Sequence, residues 1–273
     1  MIFTKVEGCG NHFILVDQSL NDISVEDLST RWIRDLCDPH FGIGADGVLW
    51  VRDLSASRTQ DDHVRYEMIV YNADGSLAEM CGNGLRCVVQ YLHHHEHLCE
   101  HPEGSAWVLT GAGPLEVFVN HKKQVGVHIG WPKVTTPEVL TESNLPTEHL
   151  SFYSLGNPHM VSFDPLYFKQ REVLAPAWEK SIQGGVNVSF AQPHTQYLVD
   201  LHVYERGCGW TLGCGTGACA TVFHGYREGL FELNSSVTVN LPGGRLSIDL
   251  SENGLTMWGE AREVYQGVYL AGR

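Results

Sequence analysis

The 273 residues suffice for one large domain or two of ordinary size, and a hydrophobic fraction of 43% is ample for a packed core. The formal net charge of −14 argues against nucleic acid and anionic membranes as partners, because both attract positive proteins. No stretch approaches the roughly 18 consecutive apolar residues that span a bilayer, and no signal peptide is evident. We therefore expect a cytoplasmic protein whose eight cysteines are reduced.

Strand-like segments dominate the chain, and helices are fewer. Ser24 and Asp27 resemble an N-cap pair, which predicts a helix whose apolar face runs from Val25 to Leu36. The further predicted elements are a strand over 66–71, a helix from Cys81 to Leu92, a weaker helix over 164–178 interrupted by Pro176, a strand over 197–204, a helix from Cys214 to Phe223, and strands over 237–241 and 246–250. This balance predicts the α+β class.

An internal repeat is the clearest feature of the sequence. The pattern C-G-x-G opens an apolar, helix-compatible run at Cys81 and again at Cys214, 133 residues later. A Gly-Asn pair also recurs, at Asn11 and at Asn157. The repeat predicts two pseudo-equivalent domains. We place the first over 1–125 and the second over 126–263, with a C-terminal strand over 264–273 that packs back on the first.

The repeated motif has a chemical meaning. A cysteine at a helix start lies near unpaired N–H groups and the positive end of the helix dipole, which favour thiolate over thiol. The small residues that follow let a carboxylate approach the backbone at Gly82-Asn83 and Gly215-Thr216. Two such thiols can invert an amino-acid α-carbon, because one removes a proton while the other adds one on the opposite face. This chemistry needs no cofactor.

Two other patterns are weaker. The segment 42–47 satisfies G-x-G-x-x-G but precedes a strand-like run, so a dinucleotide site is not expected. The run 93–97 contains the H-x-x-E-H pattern of zinc peptidases. Because four of the five residues in this run are histidines, the match to the pattern has little significance. The sequence also offers no evident third ligand. We therefore expect no functional metal, and adventitious zinc or nickel binding is the alternative.

At its motifs the sequence resembles the diaminopimelate epimerase family, in the family's order and over nearly the whole chain. The matching segments are Gly8–Phe13, Gly44–Asp46, Asn72–Ser76, Cys81–Cys87, Leu155–His159, Val186–Val188, Tyr204–Gly207, Cys214–Ala218 and Leu241–Gly244. The resemblance implies two facing domains, each a mixed β-sheet curled around a central helix, with the active site in the cleft between them. It also implies conversion between LL- and meso-2,6-diaminopimelate, a step toward lysine and peptidoglycan precursors.

The resemblance further implies a role for each site residue. Cys81 and Cys214 would be the acid/base pair, with His159 activating Cys81 and Glu205 partnering Cys214. The backbone at Gly82, Asn83, Gly215 and Thr216 would hold the reacting carboxylate. The remaining substrate contacts would come from Asn11, Asn72, Asn157, Asn187, Glu205 and Arg206. An arginine for a carboxylate and a glutamate for an ammonium suit the distal end of this substrate.

Departures from the family pattern leave alternatives open. His12, Gly47 and Trp210 replace residues that are common in the family, and they bear on substrate choice more than on reaction type. One alternative is racemisation of another amino acid, such as glutamate, on the same fold. A second is a metal- or thiol-binding protein without activity. The sequence leaves the oligomeric state open, with a homodimer as one possibility, and leaves open whether two domains close on a small-molecule substrate.

Overall fold

The computed structural model describes residues 1–55, 64–78, 80–95, 105–138 and 145–270. The helices are α1 (Thr30–Cys37), α2 (Gly82–His94), α3 (Pro165–Glu179) and α4 (Gly215–Arg227). The strands are β1 (Ile2–Gly8), β2 (Asn11–Asp17), β3 (Gly47–Asp53), β4 (Val64–Asn72), β5 (Leu77–Ala78), β6 (Ser105–Thr110), β7 (Gly113–Val119), β8 (Val125–Gly130), β9 (Lys133–Val134), β10 (Ser151–Ser154), β11 (Pro158–Ser162), β12 (Asn187–Thr195), β13 (Leu198–Glu205), β14 (Gly209–Trp210), β15 (Ser235–Leu241), β16 (Gly244–Ser251), β17 (Gly254–Gly259) and β18 (Arg262–Val268). The predicted α+β class is confirmed.

The chain forms two compact units. One comprises Met1–Val127 together with Gly259–Arg273, and the other comprises His128–Trp258. We call them the N-unit and the C-unit. In the part of the chain that the structure describes, no helix is both long enough and apolar enough to cross a membrane.

In the N-unit, the strand order is β18-β1-β2-β3-β4-β6-β7-β8, with β5 beside β4. Strands β2 and β3 are parallel, as are β4 and β6, and the other pairs are antiparallel. Parallel neighbours need a crossover, and here the crossovers are α1 and α2. The last strand, β18, pairs with β1, so the C-terminal segment belongs to the first sheet.

The C-unit repeats this plan. Its strand order is β9-β10-β11-β12-β13-β15-β16, with parallel pairs β11·β12 and β13·β15. The crossovers are now α3 and α4. From β1 to β7 and from β10 to β16, antiparallel and parallel pairs alternate identically, so the sequence repeat corresponds to a repeated topology.

Each unit has one helix packed among its strands. Helix α2 contacts β1, β2, β3, β4, β7 and β18, whereas α4 contacts β10, β11, β12, β13 and β16. The apolar faces of both helices are buried over most of their length. Helix α1 packs against β3, and α3 packs against β12 and β13. Ile33 and Leu36 join a core cluster with Trp50, and Trp178 stacks on Phe190 with ring centroids 5.4 Å apart.

The strands and the two C-G-x-G helices form where the sequence predicts them, but two helical predictions were wrong in detail. Ser24 and Asp27 do form a capping box, yet it closes only a 3₁₀ turn over Val25–Asp27. Leu28 is extended, and α1 begins after Ser29, whose hydroxyl accepts from the Trp32 N–H at 3.1 Å. A capping box is a local signal that a single turn can satisfy.

Pro176 does not interrupt α3, which runs through it to Glu179. The proline lies in the last turn, where burial of Ala175 and Trp178 holds the backbone helical. Packing therefore offsets the cost of the missing N–H.

Candidate active site

Cys81 is the N-cap of α2, and its thiol accepts the Gly84 N–H at 3.3 Å. Cys81 is partly exposed, whereas Gly82 and Asn83 beside it are buried. A Cβ on Gly84 would lie 2.8 Å from the Leu49 side chain, which accounts for the second glycine of the motif. The first turn of α2 thus presents a thiol next to N–H groups that have no intrahelical acceptor.

Cys214 holds the same position at the start of α4, but it is buried. Its sulfur lies 3.6 Å from the Thr216 hydroxyl. A Cβ on Gly217 would come within 3.0 Å of the Val203 side chain, so the second glycine has the same steric role here as in α2. The prediction that both motifs begin buried helices is confirmed.

The two Gly-Asn turns contact these helices in matching ways. In the N-unit, the Asn83 side chain donates to Asn11 Oδ1 at 2.5 Å. In the C-unit, Asn157 donates to the Thr216 hydroxyl at 3.2 Å. Asn83 and Thr216 are each the second residue of their helix. Both elements of the sequence repeat therefore meet within each unit, and they fix the first helical turn beside the cysteine.

Beyond this shared arrangement, the N-unit places a buried cation in its helix. Arg86 is fully buried, and its Nη2 donates to Asn83 Oδ1 at 2.8 Å while Nη1 lies 3.5 Å from the Gly82 carbonyl oxygen. On the other side, Asn11 donates to Asp46 at 3.3 Å. A chain of polar contacts thus runs from Arg86 through Asn83 and Asn11 to Asp46.

The C-unit instead places a carboxylate at its cysteine. Glu205 accepts from the Thr211 hydroxyl at 2.6 Å and is hydrogen bonded to Cys214. Burial raises the pKa of Glu205. Burial, reinforced by the charge of Glu205, raises the pKa of Cys214 well above its usual value. Cys214 therefore rests as a thiol that is hydrogen bonded to Glu205.

His159 is fully buried in β11. Because Asn157 donates its amide to Thr216, its Oδ1 is the acceptor for His159 Nε2–H at 3.0 Å. His159 Nδ1 is then unprotonated, and it has no hydrogen-bond partner among the described residues. Burial, with a smaller effect of Arg206, lowers the pKa of His159 to about 3, so the imidazole is neutral at pH 7.

The residues expected at the distal substrate end are arranged around two turns. Asn187 is buried, donates to the Pro158 carbonyl at 3.1 Å and accepts the Arg206 N–H at 2.9 Å. The Arg206 side chain is exposed. Asn72 is exposed at the end of β4, opposite Gly47, and bonds the Ser76 hydroxyl at 2.9 Å.

The structure thus groups the predicted residues by unit. Cys81, Gly82, Asn83 and Asn11 meet in the N-unit, with Asn72 on the strand beside Asp46. The C-unit gathers Cys214, Gly215, Thr216, Asn157, His159, Glu205, Asn187 and Arg206. The role of His159 toward Cys81 stays a prediction, as do the individual substrate contacts.

Sequence reasoning missed Arg86, Asp46 and Thr211. A charged residue inside an otherwise apolar helix was a signal for Arg86, whereas nothing in the sequence distinguished Thr211.

The family departures have structural roles. Trp210 packs edge-on against Tyr204 with centroids 5.4 Å apart, and a Cβ on Gly47 would lie 2.3 Å from the Tyr71 carbonyl oxygen. Only glycine therefore fits at position 47.

The sequence matches the family model described as diaminopimelate epimerase over residues 3–135 and 152–264. A diaminopimelate epimerase from Halothermothrix orenii is 35% identical, with 97% of this chain and 96% of the relative covered. One from Methanothermobacter thermautotrophicus is 32% identical over 99% of each chain. A chloroplastic one from Oryza sativa is 33% identical, with 97% of this chain and 79% of the relative covered.

Solved structures share the fold at much lower identity. A hydroxyproline epimerase from Agrobacterium vitis aligns with a TM-score of 0.67 and 13% identity, over 98% of this chain and 91% of the other. A phenazine biosynthesis protein of the PhzF family from Enterococcus faecalis aligns with a TM-score of 0.65 and 14% identity, over 98% and 99%. These likenesses concern the fold alone.

Proposed function

The chain belongs to the diaminopimelate epimerase family, and on that premise we propose that it interconverts LL- and meso-2,6-diaminopimelate without a cofactor. The matched pair of helix-capping cysteines, one in each unit, carries the proposal. Each caps a buried helix whose first turn is held by an asparagine from the same unit. This arrangement supplies two thiols and two sets of helix N-terminal N–H groups, which are the groups that the reaction needs.

In the proposed mechanism for one direction, the Cys81 thiolate removes the α-proton and Cys214 returns a proton to the opposite face. The sulfur of Cys81 becomes a thiol, and the electron pair of the C–H bond passes into the substrate carboxylate. The N–H groups of Gly82, Asn83, Gly215 and Thr216 stabilise that charge. Cys214 becomes a thiolate when it donates its proton, and the electron pair returns from the carboxylate to form the new C–H bond. Glu205, which is hydrogen bonded to Cys214, takes the thiol proton when Cys214 acts as the base. The opposite direction exchanges the roles.

We assign the other predicted residues to substrate binding. Asn11 and Asn157 hold the first helical turns and face the reacting amino and carboxylate groups. Asn72, Asn187, Glu205 and Arg206 read the distal amino-acid end, where Arg206 has an exposed guanidinium available for a carboxylate. His159 has an unprotonated Nδ1 without a hydrogen-bond partner among the described residues, and we propose that it orients and activates Cys81 by accepting a hydrogen bond.

We propose the cytoplasm as the place of action. The proposed chemistry supports this, because two cysteines that exchange protons with a substrate have to stay reduced, as they do in a reducing compartment. A homodimer is the assembly that we propose to test against a monomer, by sedimentation velocity at several concentrations.

The test is deuterium incorporation at the α-carbon, followed by NMR in heavy water without added cofactor. LL-diaminopimelate is compared with glutamate, aspartate, lysine and proline. Cys81→Ala and Cys214→Ala are compared with Cys87→Ala and Cys219→Ala, which remove buried thiols deeper in the same helices. We expect exchange and inversion of diaminopimelate alone, abolished by the first two variants and retained by the controls.

Exchange on glutamate instead would keep the two-thiol chemistry and replace the substrate. No exchange on any amino acid from folded, reduced protein would overturn the enzymatic proposal in favour of a binding protein.

A further inference from the structure

The C-terminal end of α2 and the strand β18 together form a cluster of three potential metal ligands. His94 is the last residue of α2, His95 is its C-cap, and Glu263 lies in β18. His94 Nδ1 lies 2.8 Å from one carboxylate oxygen of Glu263, and His95 Nε2 lies 3.3 Å from the other. The three potential ligand atoms are all within 4.8 Å of one another.

We propose that His94, His95 and Glu263 form a binding site for a divalent transition metal such as zinc. Zinc holds nitrogen and oxygen ligands at about 2.0–2.2 Å, so two ligands of a tetrahedral shell lie about 3.4 Å apart. The observed spacing needs only small side-chain movements to reach that geometry. Two imidazoles and one carboxylate favour zinc, nickel or copper over magnesium or calcium, which prefer oxygen ligands.

The carboxylate is placed by the fold and is not a chance surface neighbour. The side chain of Glu263 is only 14% exposed, whereas that of His94 is 69% exposed. Glu263 pairs with Val6, directly beside a register shift between β1 and β18 that leaves Val264 without a partner. Such bulges re-aim side chains out of a strand. The bulge therefore accounts for a glutamate of β18 that points at the end of α2.

Two further features favour a cation at this position. The ring of His95 lies against Tyr91, with centroids 4.4 Å apart, so its orientation is restricted. The C-terminal end of a helix is the negative end of its dipole, which attracts positive charge. Glu96 and His97, which complete the H-x-x-E-H pattern, lie outside the described residues, so the proposed site does not include them.

The three ligands leave one position of a tetrahedral shell for water. A metal here would join β18 to the far end of the helix that begins at Cys81, and would thereby stabilise the N-unit. This inference is independent of the proposed function.

Titration with cobalt(II) chloride, followed by absorption spectroscopy, tests the site. We expect the protein to bind one equivalent of cobalt and to show visible ligand-field bands. The near-ultraviolet charge-transfer band of a cobalt–thiolate bond should be absent. Glu263→Gln keeps the size of the side chain but removes its charge, and we expect it to weaken binding by about tenfold or more. His93→Ala is the matched control, because His93 belongs to the same histidine run but not to the cluster.

A second readout is thermal unfolding with and without zinc chloride. We expect zinc to raise the midpoint of the wild-type protein by about 2–4 °C and to leave that of Glu263→Gln unchanged. Epimerase activity is measured in parallel and should be unaffected by Glu263→Gln. Equal weakening by His93→Ala and Glu263→Gln, wild-type cobalt affinity in Glu263→Gln, or a thiolate band as the only signal would overturn the proposal.

Discussion

The two units build the same helix start but surround it with opposite charges. In the N-unit, the fifth residue after Cys81 is Arg86, a buried guanidinium that holds Asn83. In the C-unit, the fifth residue after Cys214 is the buried Cys219, which carries no charge as a thiol. The charged partner of Cys214 is instead Glu205, which comes from β13.

This difference shows how a duplicated topology can support two distinct thiols. A cation near the first helical turn favours an anion there, whereas a buried carboxylate next to a thiol keeps that thiol protonated. A two-base reaction needs one group in each protonation state before substrate binds. The asymmetry between the units thus suits the proposed chemistry, and each experiment below tests one side of it.

The largest effect is expected for Glu205→Gln. The amide keeps the shape of the side chain and can still accept from Thr211, but it cannot take the proton of Cys214. We expect kcat for diaminopimelate epimerisation to fall by about 10³-fold. Thr211→Val, which removes only the supporting hydrogen bond, should cost roughly tenfold. Equal activity of Glu205→Gln and the wild type would remove Glu205 from the acid/base machinery.

Arg86→Met should have the next largest effect. Methionine fills much of the space but leaves Asn83 Oδ1 without the donor at 2.8 Å. We expect activity to fall by about 10²-fold, with the acidic limb of the kcat/KM profile moved to higher pH because a positive charge is lost. Arg86→Lys should recover part of the loss. Cys219→Ala, at the equivalent position of α4, is the control. A lower activity with an unchanged pH profile would indicate a purely structural role.

Alkylation should be about tenfold or more faster at Cys81 than at Cys214, because the thiolate is the nucleophile. Cys81 is partly exposed, whereas Cys214 is buried and its pKa is raised. Iodoacetamide labelling followed by peptide mass spectrometry measures both rates in one sample, with the exposed Cys208 as a reference. Glu205→Gln should speed labelling of Cys214. Identical rates for Cys81 and Cys214 would contradict the proposed asymmetry.

The last prediction concerns stability in acid, which is measured on a different scale from activity. Burial lowers the pKa of His159, to about 3, and also those of His202 and His224, all in the C-unit. Since unfolded histidine titrates near 6.5, this stability is complete above about pH 6.5 and is lost as the pH falls toward 3. Protonation of His159 alone should lower the free energy of unfolding by about 1.4 kcal/mol for each pH unit within that range.

Hydrogen exchange between pH 7 and pH 5 measures this loss unit by unit. We expect protection to fall first in the C-unit, and His159→Gln to flatten its pH dependence. Loss of protection that begins in the N-unit would argue against the histidines as the cause.

Much of the fold followed from local patterns. Glycine turns, alternating strands and the two C-G-x-G motifs predict most elements, because their signals lie within a few residues of one another. The start of α1 was misjudged because the Ser24–Asp27 capping box and the Ser29 cap are both valid local signals. Only the packing of Ile33 and Leu36 against Trp50 selects the later one.

The sequence by itself determined the internal repeat, the two capping cysteines and the class of reaction, because every motif behind them is a run of residues close together in the chain. The tertiary structure alone decided what surrounds those cysteines. Asn11 reaches Asn83 across 72 residues, and Glu263 reaches His94 across 169. Strand pairing and crossover helices create such contacts, and no spacing along the chain encodes which distant side chains they bring together.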